Sequence, residues 1–419
     1  MNDLSKIEKD VQAFLSGDTK GKQMYFAGTT IKNPIEYKLG EPIVFKIWVE
    51  CDGKRVIVPY IRFFIEGDDG EKSEGYIKSD TEGIFYIETT LKRDGFVHVI
   101  AEACDEDKVV LDGVDKFEGG AGADIEKIKC ETDIPEDYFD FWKALKEEAA
   151  SIPEEIVFEE QFEALDGFKA FDMRLKTTTA DFISLTYTYP ENATPGSLKL
   201  LIICMGYGVA DATPVFREGY LTVRINTHDI FNRQPKEYYV ELEKTKYFRY
   251  GLRKEENLIP QTTYWRKLFI RDIQALNFFK KNALVVGNDI EFEGGSQAAF
   301  QACNLAAHTG AAARVRLYVP WFCDLFAIEK QKRIEIKWRP IGEAGLRYFD
   351  TAIAAKFLKC PVYIEAGLGD YICPPSGQMA MYNGITAPKK LRFIQNKTHP
   401  YTPPVLSCAE ISESYNECE

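Results

Sequence analysis

The sequence predicts an all-β sandwich domain followed by a larger α/β domain, and three observations carry that expectation. At 419 residues the chain is too long for one ordinary core of about 100 to 200 residues. Residues 24 to about 130 hold short runs rich in Val, Ile, Phe and Tyr, separated by turn signals; after Pro153, strand-like runs alternate with helical patterns. With 45% hydrophobic and 28% charged residues, the chain can fill large cores, which excludes disorder and low-complexity behaviour for most of its length.

Taken in order, Leu4, Ile7, Val11, Phe14 and Leu15 recur at helical spacing and predict an N-terminal amphipathic helix. Residues 42–50, 61–65, 83–90 and 96–103 read as strands, with turns at Asp52-Gly53 and Asp68-Asp69-Gly70. They suggest an antiparallel sandwich of immunoglobulin-like type, without the Cys-Trp-Cys spacing of a true immunoglobulin domain. Gly119-Gly120-Ala121-Gly122 breaks the pattern. Asp133-Ile134-Pro135 then opens a helix with Tyr138, Phe141, Trp142 and Leu145 on one face, so the boundary falls near 130, between domains 1–130 and 131–419. Residues 157–162, 169–175 and 184–189 read as opening antiparallel strands. They are followed by strands at 198–204 and 220–225, a helix at about 264–282, a strand at 290–292, a helix after Ser296, and strands at 314–319, 362–365 and 391–394. That order is the order of an α/β-hydrolase.

Lys and Arg total 52 against 65 Asp and Glu, a net charge of −13 that repels phosphate backbones and anionic lipid, so neither nucleic acid nor membrane is an expected partner. Residues 1–20 lack the apolar core of a signal peptide, and no window holds the ~18 apolar residues of a membrane span; together these predict a soluble, cytoplasmic protein. The ten cysteines form no C-x-x-C pair and suit reduced, buried thiols. No metal-ligand spacing and no phosphate-binding loop occurs, so no metal and no cofactor is expected.

Gly294-Gly295-Ser296-Gln297-Ala298 follows an apolar strand and opens a small-residue helix, the context of a nucleophile elbow that lifts a serine hydroxyl clear of the sheet. The alternative is a Gly-rich turn with an idle serine. Asp370 stands just beyond the strand at 361–366, where a carboxylate can orient a histidine; an Asx-turn is the other reading. His399 follows the last strand and is the candidate base, completing the chain order Ser, Asp, His. Of the other histidines, His98 lies in an N-terminal strand, His308 ends a helix where an imidazolium suits the dipole, and His228 is a candidate pocket residue at the sheet edge. The loop Met205-Gly206-Tyr207-Gly208 is placed to build an oxyanion hole with the Gln297 amide. Tyr207 is expected to hold the oxyanion through its hydroxyl; its N–H in that role, and a ring that merely covers the sheet edge, are the alternatives.

Gly294-Gly295-Ser296-Gln297, Gly367-Leu368-Gly369-Asp370 followed by Cys373-Pro374-Pro375-Ser376, Phe139-Asp140-Phe141-Trp142, Gly206-Tyr207-Gly208 and Pro320-Trp321-Phe322-Cys323-Asp324 together resemble the acetyl xylan esterase and cephalosporin C deacetylase family, carbohydrate esterase family seven. The resemblance spans roughly residues 133–400. It implies a Ser296, Asp370, His399 triad with Tyr207 and Gln297 at the oxyanion, Trp321 as a second candidate pocket residue, and acetyl esters of sugars as substrates. Three features depart from the family: Asn226-Thr227-His228-Asp229 replaces its R-G-Q motif, Ala298 its second elbow Gly, and His399-Pro400 its His-Glu pair. The N-terminal β-domain is also unlike the short members, so their ring-shaped hexamer is not carried over, and a homo-oligomer stays open.

The expected function is that of a serine esterase acting on a small-molecule or oligosaccharide ester through an acyl-enzyme. Two alternatives stand beside it: an acyl-CoA thioesterase or acyltransferase, whose transferases carry Cys at the elbow, and a degenerate hydrolase serving as a carbohydrate-binding module. Residues 229–262 form an insertion whose Tyr238, Tyr239, Tyr247, Phe248 and Tyr250 either wall the pocket or pack a subunit contact.

Overall fold

Alternating apolar side chains build the N-terminal strands. Strand β2 (Ile43–Cys51) buries Ile43, Phe45, Ile47 and Val49 on one face, as the pleat dictates. It pairs antiparallel with β1 (Met24–Thr30), β3 (Lys54–Val56) and β6 (Ile84–Thr89). A second antiparallel sheet runs in the order β5 (Lys72–Lys78), β4 (Tyr60–Gly67), β7 (Gly95–Cys104), β8 (Phe117–Ala123). The two sheets share a core that includes Phe45, Phe85, Val99 and Phe117. The structure is a computed structural model and describes residues 23–330, 332–334 and 344–416. The helix expected over the first residues lies outside them.

One expectation is corrected here: Gly119-Gly120-Ala121-Gly122 does not break the sheet but forms the middle of β8. The glycines answer a packing need. A Cβ on Gly119 would stand 2.2 Å from the Gln395 side-chain oxygen, and one on Gly120 would stand 2.7 Å from the carbonyl oxygen of Leu368. Glycine within a strand marks close approach of other chain atoms, and sequence alone does not say which.

Helix α1 (Tyr138–Ser151) buries Tyr138, Phe141, Trp142 and Leu145 and leads into a ten-stranded sheet. Strands β9 (Ile156–Phe162), β10 (Phe168–Leu175) and β11 (Ile183–Pro190) are antiparallel. Six parallel strands follow: β12 (Leu198–Cys204), β13 (Tyr220–Ile225), β14 (Val285–Gly295), β15 (Arg314–Tyr318), β16 (Val362–Gly367) and β17 (Lys389–Ile394). An edge strand not foreseen from the sequence, β18 (Cys408–Glu413), closes the sheet antiparallel to β17. The spatial order β11-β13-β12-β14-β15-β16-β17 makes this a mixed α/β fold consistent with α/β-hydrolase esterases. Because the six strands point one way, the loops after Cys204, Ile225, Gly295, Gly367 and Ile394 share one edge, where open α/β sheets carry their sites. The helices between them are α2 (Lys236–Lys244), α3 (Tyr264–Phe279), α4 (Gln297–Thr309), α5 (Thr351–Ala354) and α6 (Pro375–Gly384). Among the described residues, no helix is long and apolar enough to cross a membrane, and nine cysteines are free thiols.

Three of the four histidines sit deep in the packing. Burial lowers the pKa of His98, His228 and His308 to about 3 each. His308 stacks on Trp142 at 3.8 Å, with its Nε2 3.0 Å from the Tyr138 hydroxyl. It is therefore a neutral core residue, not the imidazolium at a helix end that the sequence suggested. A histidine whose folded pKa lies below its unfolded value near 6.5 contributes stability that is complete above pH 6.5 and is lost as pH falls toward 3, because the unfolded chain binds the proton first. Buried Asp272 and Asp350, raised by burial to about 7 and about 6, act in the opposite sense, so the test is a difference. In urea titrations between pH 7.5 and 5, the stability gap between parent and His308→Gln should narrow with falling pH, by up to about 1.4 kcal/mol per unit below 6.5. A constant gap contradicts the assignment.

Candidate active site

Strand β14 ends at Gly295, and Ser296 joins it to α4 with φ 56° and ψ −121°, a conformation that L-residues rarely adopt. Neighbours hold it there. The Ser296 N–H donates to the Tyr318 carbonyl at 2.9 Å, and its own carbonyl accepts from the N–H groups of Phe300 and Trp321 at 3.1 and 3.3 Å. Gly294 makes the turn possible, since a Cβ there would meet the Ala298 backbone at 2.4 Å. With position 294 bare, the methyl of Ala298 fits where the usual motif has glycine. Ser296 thus sits at the start of α4, where backbone N–H groups have no partner within the helix.

Asp370 is fully buried three residues beyond β16. Its Oδ1 accepts the N–H groups of Ile372 and Cys373 at 3.0 and 2.9 Å, and its Oδ2 lies 2.9 Å from His399 Nδ1. A carboxylate oxygen in that position places the imidazole proton on Nδ1 and leaves Nε2 as the free basic atom. His399 keeps 22% of its side chain exposed, against 12% for His98, while His228 and His308 are buried. The buried Cys373 thiol hydrogen-bonds with the Ser296 side chain, which offsets part of the upward push that burial gives its pKa. Cys373 Sγ, an Asp370 oxygen and a His399 ring nitrogen lie within 4.8 Å of one another, so Ser296, Asp370, Cys373 and His399 meet in one place. Asp370, Cys373 and His399 could also hold a metal ion, although Asp370 already spends both oxygens on hydrogen bonds.

The loop after β12 is fixed by a buried network the sequence did not disclose. Gly208 donates its N–H to the Tyr250 hydroxyl at 3.0 Å, and that hydroxyl donates to Gln297 Oε1 at 2.9 Å. The Gly208 carbonyl lies 3.1 Å from His228 Nε2, which must be the protonated nitrogen; His228 Nδ1 then accepts from the Tyr264 hydroxyl at 2.7 Å. Arg271 donates to the Thr227 carbonyl and to Tyr264 at 2.8 and 3.3 Å. His228 is therefore a bracket for the loop, held neutral by burial. Gln297 Nε2 reaches the Thr227 hydroxyl at 3.1 Å, tying the helix start to the segment that replaces the R-G-Q motif.

Tyr207 stacks on Tyr250 at 4.5 Å, and its hydroxyl faces the Tyr250 carbonyl at 3.5 Å. Burial pushes its pKa up to about 12. The ring of Trp321 is 2% exposed and packs against Trp265, Phe300 and Phe322; its direct tie to the elbow is its backbone N–H. From the 229–262 insertion, Tyr247 and Tyr250 pack on the His228 ring at 4.0 and 4.5 Å, while Phe248 is exposed. Only aromatic content pointed to these residues beforehand.

Comparison with known proteins places the chain in a family. The acetyl xylan esterase (AXE1) family model matches residues 123–336 and 343–412, more than half of the chain. Acetyl esterase Axe7A of Xylanibacter ruminicola is 23% identical over 324 residues, covering 72% of this chain and 70% of the relative. The acetyl xylan esterases of Paenibacillus sp. R4 and of Thermoanaerobacterium sp. JW/SL YS485 share the fold. Their TM-scores are 0.52 and 0.54 at 19% and 18% identity, covering 66% and 67% of this chain and 93% of each of theirs. The chain belongs to the acetyl xylan esterase family and is a carboxylic ester hydrolase.

Proposed function

We propose that the enzyme removes acetyl groups from carbohydrate esters by a serine mechanism with an acyl-enzyme intermediate. The observation that carries this reading is Ser296 on its strained turn beside the Asp370–His399 pair, at the edge shared by the parallel strands. In the first half-reaction Ser296 Oγ attacks the ester carbonyl while His399 Nε2 takes its proton, and Asp370 steadies the imidazolium through Nδ1–H. The tetrahedral oxyanion is held by the Gln297 N–H and by the 206–208 loop. Collapse breaks the C–O bond, and His399 returns the proton to the departing sugar hydroxyl. Water then repeats the sequence on the acyl-enzyme, releasing acetate and restoring Ser296. The acetyl and sugar parts of the reading draw on the family and on Axe7A, whose name describes an acetyl esterase. We also take residues up to about 130 as a separate immunoglobulin-like sandwich domain, a reading supported by its two antiparallel sheets and their own core.

Ser296→Ala should lower kcat on p-nitrophenyl acetate by on the order of 10⁴-fold with the fold intact. His399→Ala should fall by a similar factor, and His228→Ala at least a hundredfold less; the reverse order would move the base to the loop after β13. On a panel of acetyl esters, acetylated xylose should be turned over faster than non-sugar acetates of equal leaving-group pKa, and equal rates would remove the carbohydrate part of the proposal. For the oxyanion side, Tyr207→Phe should change kcat less than threefold, because its hydroxyl already faces the Tyr250 carbonyl. Tyr250→Phe removes two hydrogen bonds that align Gly208 and Gln297 and should cost about tenfold. A large loss in Tyr207→Phe would instead make that hydroxyl the oxyanion donor.

A further inference from the structure

The N-terminal sheets touch the candidate active site at its two most sensitive loops. Strand β8 runs along the loops that carry Asp370 and His399. The Gly120 N–H donates to Gln395 Oε1 at 2.9 Å, and Gln395 Nε2 donates back to the Gly120 carbonyl at 3.0 Å, a two-way amide pair on a residue 2% exposed. Next to it, Asn396 Oδ1 accepts the Glu118 N–H at 2.8 Å, and Asn396 Nδ2 donates to the Phe26 carbonyl at 3.1 Å, with Asn396 held at φ 57°. These two residues begin the loop that ends at His399. On the acid side, a Cβ on Gly369 would meet the Glu118 carbonyl oxygen at 1.9 Å, and the Tyr371 ring stacks on His98 of β7 at 3.8 Å. The loops are also joined to each other, since the Gly369 N–H donates to the Lys397 carbonyl at 3.1 Å.

Asp370 is thus flanked by two residues, Gly369 and Tyr371, that contact the N-terminal sheets, and His399 is anchored through two more. A hydrolase sheet alone would leave both loops projecting from its edge. Buried polar side chains that pair fully with a neighbouring backbone fix position sharply, because any shift strands a donor or acceptor away from water. We propose that β8, through Gln395 and Asn396, positions the Asp370–His399 pair, making the N-terminal sheets a working part of the active site. The proposal rests on the serine mechanism above. Gln395 and Asn396 act through His399 and are positioning residues; neither reaches substrate.

The full-length chain tests it with p-nitrophenyl acetate, thermal melting and labelling of Ser296 by a fluorophosphonate. Gln395→Ala, and independently Gly120→Ala, whose methyl presses on the Leu368 carbonyl, should lower kcat by about 10- to 100-fold with KM within about twofold, since a misplacement of about 1 Å costs that much. Labelling should slow in parallel. Ile77→Ala, on β5 at the far edge of the same sheet from β8, should lower the melting temperature and leave kcat at the parental value. Folded Gln395→Ala with parental kcat and labelling overturns the proposal, as does an Ile77→Ala loss in kcat equal to that of Gln395→Ala. If Ser296→Ala keeps its turnover, the serine mechanism itself fails; if Ser296→Ala is inactive and Gln395→Ala is not, only the positioning role fails.

Discussion

The backbone at Ser296 is the constraint on which the rest of the site depends. A serine at φ 56° costs on the order of 1–3 kcal/mol and persists only where its surroundings over-determine it. Here they do, through three backbone hydrogen bonds and the contact between Gly294 and Ala298. The same turn decides where everything else must stand. It starts α4, so the Gln297 amide comes next to the hydroxyl, and it ends β14 at the edge where the loops after β12, β16 and β17 also emerge. A relaxed helical serine would carry the hydroxyl along the helix, away from His399.

Strain at one point needs rigidity around it, and the loop opposite Ser296 obtains that from buried polar groups in place of apolar packing. Gly208 is held at its N–H by Tyr250 and at its carbonyl by His228, and Tyr250 passes its own proton to Gln297. Each group has a partner because the neutral imidazole supplies one donor and one acceptor, which matches a carbonyl on one side and a tyrosine hydroxyl on the other. A charged histidine would lose the acceptor, and the Tyr264 hydroxyl would turn its proton to the Thr227 carbonyl, 2.9 Å away. The segment Asn226-Thr227-His228-Asp229 therefore supports the 206–208 loop and the start of α4.

Much of this was legible in the residues. Strands 198–204 and 220–225 have the limits expected of them, because short runs rich in branched apolar residues and bounded by turn residues favour a strand over a helix. Asp370 and His399 do meet, and chain order with strand ends was enough to pair them. What escaped the sequence depends on contacts between distant segments. Strand β5 is mostly exposed and polar, so it carries no alternation to detect, and it exists because it pairs with β4. His228 could be placed at the sheet edge but not oriented, since its partners lie at 208 and 264.

The glycine run at 119–122 shows the same limit from the other side. Read locally, three glycines in four residues favour a turn, because glycine loses most entropy when held extended. Their placement follows from a constraint that local reading cannot supply. Two backbones, β8 and the 367–371 loop, approach until the Glu118 and Leu368 carbonyls occupy the space where side chains would stand. Any larger residue at 120 or 369 would push the N-terminal sheet away from the loop that carries Asp370. The entropy given up by these glycines is offset by the amide pair with Gln395 and the bonds of Asn396, which form only at that distance. The glycines therefore set the spacing at which the N-terminal sheet rests on the loop that carries Asp370.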